Sequence, residues 1–160
     1  MKSQLICLAL FSLILATQAT DYSALATSLQ RSQIARNAMY YATIDAQYYQ
    51  SGHNSFAISG TKTYYIRAQR DNYITVTLED PVIFNRMLVV FHDYDSRDYH
   101  WNGDWSLDGT TWNSFANGIY GKGAEYLKFP EDIEAKYLRI KGYNEVNDYM
   151  DLNKIELDYF

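Results

Sequence analysis

Residues 73–91 read YITVTLEDPVIFNRMLVVF, and this stretch decides the class of fold. Ile74, Val76 and Leu78 fall on one face of an extended chain, with Tyr73, Thr75, Thr77 and Glu79 on the other. That period of two marks a half-buried strand. Asp80-Pro81 is expected to end it, because proline cannot donate to a sheet ladder. The next run, 82–91, is apolar on both faces around Met87, Leu88, Val89, Val90 and Phe91, and is predicted to be the most buried strand.

Downstream, shorter strands are expected at 103–107, 112–115, 125–129, 137–141 and 152–159, with a turn at Asp108-Gly109 and a loop at 118–123. A further strand is expected upstream at 64–67. Many short strands without a βαβ rhythm argue for a mainly β sandwich and against a parallel sheet. Its core is predicted to contain Ile74, Val76, Leu78, Leu88, Val90, Trp105, Leu107, Trp112, Leu138, Ile140, Ile155 and Leu157. The 16 tyrosines are spread along the domain, which favours packing at sheet and rim over a single aromatic platform.

Residues 21–50 hold neither proline nor glycine. Leu25, Leu29, Arg36 and Met39 keep a partial helical spacing, so residues 20–51 are predicted to form a largely helical extension ahead of a sandwich at 52–160, although Tyr40-Tyr41 and Tyr48-Tyr49 would also suit strands. The chain opens with Lys2, an apolar run from Leu5 to Ala16 and then small residues. Residues 1–19 therefore read as a secretory signal peptide with a cleavage site at Thr17-Gln18-Ala19. A retained hydrophobic helix is the competing reading, in which residues 4–20 contact the membrane as an anchor.

About 140 residues follow this segment, enough for one core and too few for two. The formal charge of −5, without a basic cluster, excludes nucleic acid as an expected partner. The single cysteine, Cys7, lies in the apolar segment, so no disulfide can staple residues 20–160.

The densest group of candidate ligand-binding residues is Asp93, Asp95, Arg97, Tyr99, His100 and Trp101, in an expected loop at 92–101. An aromatic ring beside several hydrogen-bonding groups suits a sugar, whose apolar face stacks while its hydroxyls are bonded. The same composition also fits a loop that satisfies itself, with Arg97 paired to Asp93 or Asp95 and Trp101 packed on the core. His53, His92 and His100 lack the spacing of a zinc site. His92 and Asp93 would point to opposite faces of a strand, and no activated serine or cysteine accompanies them, so no enzyme activity is expected.

Three blocks carry a family resemblance: the strand pair around Asp80-Pro81, the segment HDYDSRDY at 92–99, and the hairpin WSLDGTTW at 105–112. They are followed by AKYLRIKG at 135–142 and LNKIEL at 152–157. In this order they resemble the discoidin domain, also called the coagulation factor 5/8 type C domain, most closely the discoidin-like domains of BTB and Kelch-type proteins. The resemblance implies a galactose-binding-like jelly roll that binds through loops at one end. It also implies glycan, phospholipid or protein partners, and in some relatives a structural calcium, for which Asp93, Asp95 and Asp98 offer oxygen ligands. Phospholipid is disfavoured by the acidic balance and polar loops. The disulfide that often joins the ends of such domains is missing.

Two functional readings follow. One is a non-catalytic binding module, secreted or on the extracellular surface, recognising a glycan or a protein through the sandwich-end loops. The other is an accessory structural subunit of a membrane protein complex, anchored by its N-terminal helix, with the mitochondrial inner membrane facing the intermembrane space as one location.

Overall fold

The computed structural model describes residues 23–46, 48–49, 65–92 and 97–160, with residues 48 and 49 described through their backbone alone. The export or anchor segment at 1–19 and the candidate residues Asp93 and Asp95 lie outside the described residues. A helix, α1, spans 23–38. Eight strands follow: β1 (Thr43–Asp45), β2 (Tyr48–Tyr49), β3 (Ile66–Gln69), β4 (Ile74–Phe91), β5 (Tyr99–Ser106), β6 (Asn113–Gly121), β7 (Ala124–Asn144) and β8 (Tyr149–Asp158). The helical extension is shorter than expected. It gives way to β1, which pairs with β4, and to β2, which pairs with β3.

All pairings are antiparallel, and β4 and β7 are long enough to serve two layers of a sandwich. Residues 74–77 of β4 pair with 137–140 of β7, and this pair is flanked by β1 on one side and by β5 and β6 on the other. Residues 86–90 of β4 pair with 124–128 of β7 and with 154–158 of β8, and β8 continues to β3 and β2. Asp80-Pro81 does not end a strand. It falls in a register break between Thr77 and Val82, where the missing proline N–H is tolerated.

A second break, between Phe84 and Arg86, explains a correction to the core. Ile74, Val76, Leu78, Val82 and Phe84 point inward at even positions, but beyond the break the buried residues are Met87, Val89 and Phe91. Leu88 and Val90 are therefore half-buried on the outer face. One irregularity shifts every later side chain to the opposite face. Leu138, Ile140, Ile155 and Leu157 are buried as expected, whereas Leu107 is 47% exposed in the hairpin turn. Trp105 is half-buried against the core, and Trp112 is half-buried with Arg139 4.1 Å above its ring centroid. The loop expected at 118–123 shrinks to a turn, since β6 runs to Gly121 and β7 begins at Ala124.

α1 docks through one face. Ala35 and Met39 are buried in the core, while Ser32 and Arg36 both donate to Asp158 near the end of β8, at 2.6 Å and at 3.1 and 2.8 Å. Arg31 donates to the Tyr159 hydroxyl at 2.8 Å. Burial alone would raise the Asp158 carboxyl pKa, but hydrogen bonds from Arg36, Ser32 and the Tyr159 amide hold it below its ordinary value. Among the described residues, no helix is long and apolar enough to cross a membrane.

Candidate functional site

Three of the expected site residues lie in or next to β5 and not in a loop. Tyr99 and Trp101 are fully buried, pairing in register with Asn144 and Gly142 of β7. The Phe91 ring packs on both, at 4.9 Å from Tyr99 and 5.5 Å from Trp101, and the Tyr99 hydroxyl donates to the His92 carbonyl at 3.0 Å. Gly142 makes this packing possible. A Cβ there would lie 2.5 Å from the His100 carbonyl oxygen and 2.8 Å from the Trp101 Cβ. Tyr99 and Trp101 are thus core side chains in this structure.

His100 faces outward between them, its side chain 33% exposed. Its ring stacks on Tyr143 at 5.1 Å and meets Tyr120 edge-on at 4.7 Å, and Nε2 lies 3.4 Å from Glu145. The Arg70 guanidinium carbon also lies over the Tyr143 ring, 3.6 Å from its centroid. The Tyr120 hydroxyl donates to Asp98 at 2.7 Å, which raises its pKa. This cross-strand ladder largely occupies its own ring faces, so it braces the sheet.

The arrangement best suited to a ligand is built from β3 and β8 at the same end of the sandwich. Arg67 stands opposite Asp151 in the β3–β8 register, and Tyr65 and Tyr149 lie two residues before each on the same faces. Asp151 is fully buried; it accepts from Arg67 Nε at 2.7 Å, Arg67 Nη2 at 2.9 Å and Arg97 Nη1 at 3.1 Å. Arg97 is thus a brace, 8% exposed, reaching Asp151 and, at 3.3 Å, the Tyr149 hydroxyl. Its partners among the described residues are Asp151 and Tyr149; the expected pairing with Asp93 or Asp95 lies outside the described residues.

Arg67 presents the open side of this cluster, with 29% of its side chain exposed. Its guanidinium carbon lies 3.6 Å from the Tyr149 ring centroid and 5.0 Å from that of Tyr65, and Nη2 donates to the Tyr65 hydroxyl at 3.3 Å. Tyr65 also packs on His92, at 4.9 Å between ring centroids. Hydrogen bonding to Asp151 raises the Arg67 pKa further above its ordinary value, so the group is permanently charged.

Two arginines share one buried carboxylate among the described residues, in a rigid, partly desolvated setting. Both Asp151 oxygens are occupied by arginine N–H groups, and the cluster is equipped for recognition of hydroxyls or a carboxylate. Attention to loops missed it; the readable signal was the paired alternation Tyr65-x-Arg67 and Tyr149-x-Asp151. Among the described residues, no three His, Cys, Asp or Glu side chains converge as metal ligands.

No family model and no curated protein matches the sequence. Solved structures do match in fold. A pectin-binding carbohydrate-binding module aligns with a TM-score of 0.61 at 23% identity, over 72% of this chain and 88% of that one. The CBM32 module of AlyQ, in complex with 4,5-unsaturated mannuronic acid, gives 0.58 at 19%, over 72% and 92%. CBM32-1 from a family 31 glycoside hydrolase of Clostridium perfringens gives 0.60 at 17%, over 78% and 98%. The fold is that of the discoidin-like, galactose-binding-like β-sandwiches.

Proposed function

We propose that this chain is a non-catalytic carbohydrate-binding module whose sugar site is formed by Tyr65, Arg67 and Tyr149. The observation that carries this reading is the Arg67 guanidinium, held between two tyrosines by a fully buried carboxylate, at one end of a fold it shares with carbohydrate-binding modules. With Nε and Nη2 of Arg67 held by Asp151 and Tyr65, Nη1 of the fixed guanidinium can donate to saccharide oxygens without losing rotamer freedom on binding, and the tyrosine hydroxyls add donors and acceptors. Two of the similar modules are described with pectin and with an unsaturated mannuronic acid, both acidic saccharides. A sugar carboxylate could also be received by the part-exposed Arg67 guanidinium. Residues 1–19, read as an export segment, would deliver the module to where polysaccharides are met.

The reading is tested by titrating the purified chain with galacturonide oligosaccharides and with a neutral galactan, in wild type and in Arg67→Met. The expected result is saturable binding, weakened by at least about tenfold in Arg67→Met, the loss of a charge-assisted contact. Absence of saccharide binding, or equal binding by the variant, would overturn it.

A further inference from the structure

The outer surface of the layer that carries Arg67 continues across β8, β4 and β7. Register places Tyr126, Leu88 and Glu156 in one cross-strand row and Lys128, Arg86 and Asp158 in the next. Tyr126 is 80% exposed on the β7 segment beside the half-buried Leu88 of β4, so a flat ring is offered to solvent on this sheet face. Both carboxylates in these rows are engaged: Glu156 by Lys154, and Asp158 by Arg36 and Ser32 of α1.

Arg86 and Lys128 are left without a carboxylate partner among the described residues, and they stand directly opposite each other. Like charges in that relation destabilise a sheet. The chain is acidic overall, at −5, so this pairing does not follow from a basic composition. The Arg86 guanidinium rests 4.3 Å from the Phe160 ring centroid. A groove of about 410 Å³ runs along Arg86, Leu88, Tyr126, Lys128 and Glu156.

We propose that this face is a second contact surface for an acidic polysaccharide, with a sugar ring stacked on Tyr126 and uronate carboxylates received by Arg86 and Lys128. The inference rests on the Arg67 site being a saccharide site, and it makes the module a binder of extended polymer. The extra β8 residue at the register shift opposite Val90 and Phe91 brings Asp151 and Glu156 to one outer face, about 13 Å apart along the strand, so the two contacts are separated by several sugar units. An anionic membrane fits less well. Lipid-binding basic surfaces gather roughly four to eight Lys or Arg residues, whereas these rows mix two unpaired cations with two carboxylates.

The test is calorimetric titration of the full-length chain with galacturonide oligomers from dimer to hexamer. It compares wild type, Tyr126→Ala, the double variant Arg86→Gln/Lys128→Gln, and Arg67→Met. Wild type is expected to bind the hexamer about tenfold or more tightly than the dimer, and the Tyr126 and double variants to lose that gain while still binding the dimer. All substituted side chains on this face are at the surface, and thermal unfolding of each variant confirms folding.

Equal affinity for dimer and hexamer, or variants that keep the gain, would overturn the second surface and leave the Arg67 reading standing. A hexamer bound normally by Arg67→Met but lost in the double variant would place binding on this face alone, and would overturn both the Arg67 site and the inference of a second contact. Binding to anionic lipid vesicles through the same three residues, with none to the hexamer, would also overturn the inference.

Discussion

Asp151 lies directly opposite Arg67 across the β3–β8 pair and accepts two of its N–H groups, while also accepting from Arg97 out of the β4–β5 connection. This one buried carboxylate ties two strands and a connection together beneath the proposed sugar site. Asp151→Asn or Asp151→Ala removes the buried carboxylate that both partly desolvated arginines share. Either is expected to destabilise the fold by about 3–5 kcal/mol, read from urea unfolding. A loss below about 1 kcal/mol would show that the cluster does not brace this end.

The shift of the core face after Phe84 predicts unequal consequences for two neighbouring residues. Met87 is buried and Leu88 half-buried on the outer face. Met87→Ala is expected to cost about 2–5 kcal/mol and Leu88→Ala about 1 kcal/mol or less. The reverse order would contradict the register.

Gly142 is required by close approach, since its backbone passes against His100 and Trp101. Gly142→Ala is expected to destabilise by about 1–3 kcal/mol through overpacking, with the near-ultraviolet circular dichroism of Trp101 perturbed. A neutral substitution would mean that β5 and β7 separate more easily than their register implies.

Acid should release α1. Hydrogen bonds hold the Asp158 carboxyl below its ordinary pKa despite burial, so the folded value lies below an unfolded value of about 3.9. The stability this contributes is fully present above about pH 4 and is lost as pH falls through the folded value. Asp158→Asn is expected to be less stable than wild type near pH 7, with the difference closing as both are acidified toward about pH 2. A difference that is constant with pH would contradict the role of the ionised carboxylate.

Much of the fold was legible in the sequence because alternation is local. Ile74, Val76 and Leu78, and Ile155 and Leu157, occupy the faces their spacing implied. Leu88 and Val90 were misplaced because a register break leaves no mark in an unbroken apolar run. Tyr99 and Trp101 read as loop residues because their polar neighbours, Asp98, His100 and Asn102, are the outward half of an alternating strand or its approach. The site was the least legible part. Arg67 and Asp151 are 84 residues apart, and only the β3–β8 register makes them a pair. His100 kept its surface place, but cross-strand stacking with Tyr143 and Tyr120, invisible in sequence, makes it a structural ring.

The most direct measurement of the central claim is an amide nitrogen–proton correlation spectrum recorded while a galacturonide dimer is added. The expected result is saturable shifts centred on Tyr65, Arg67, Tyr149 and Asp151, absent when the same dimer is added to Arg67→Met. No saturable shift, or shifts centred on residues remote from this cluster, would contradict a saccharide site at this end of the sandwich.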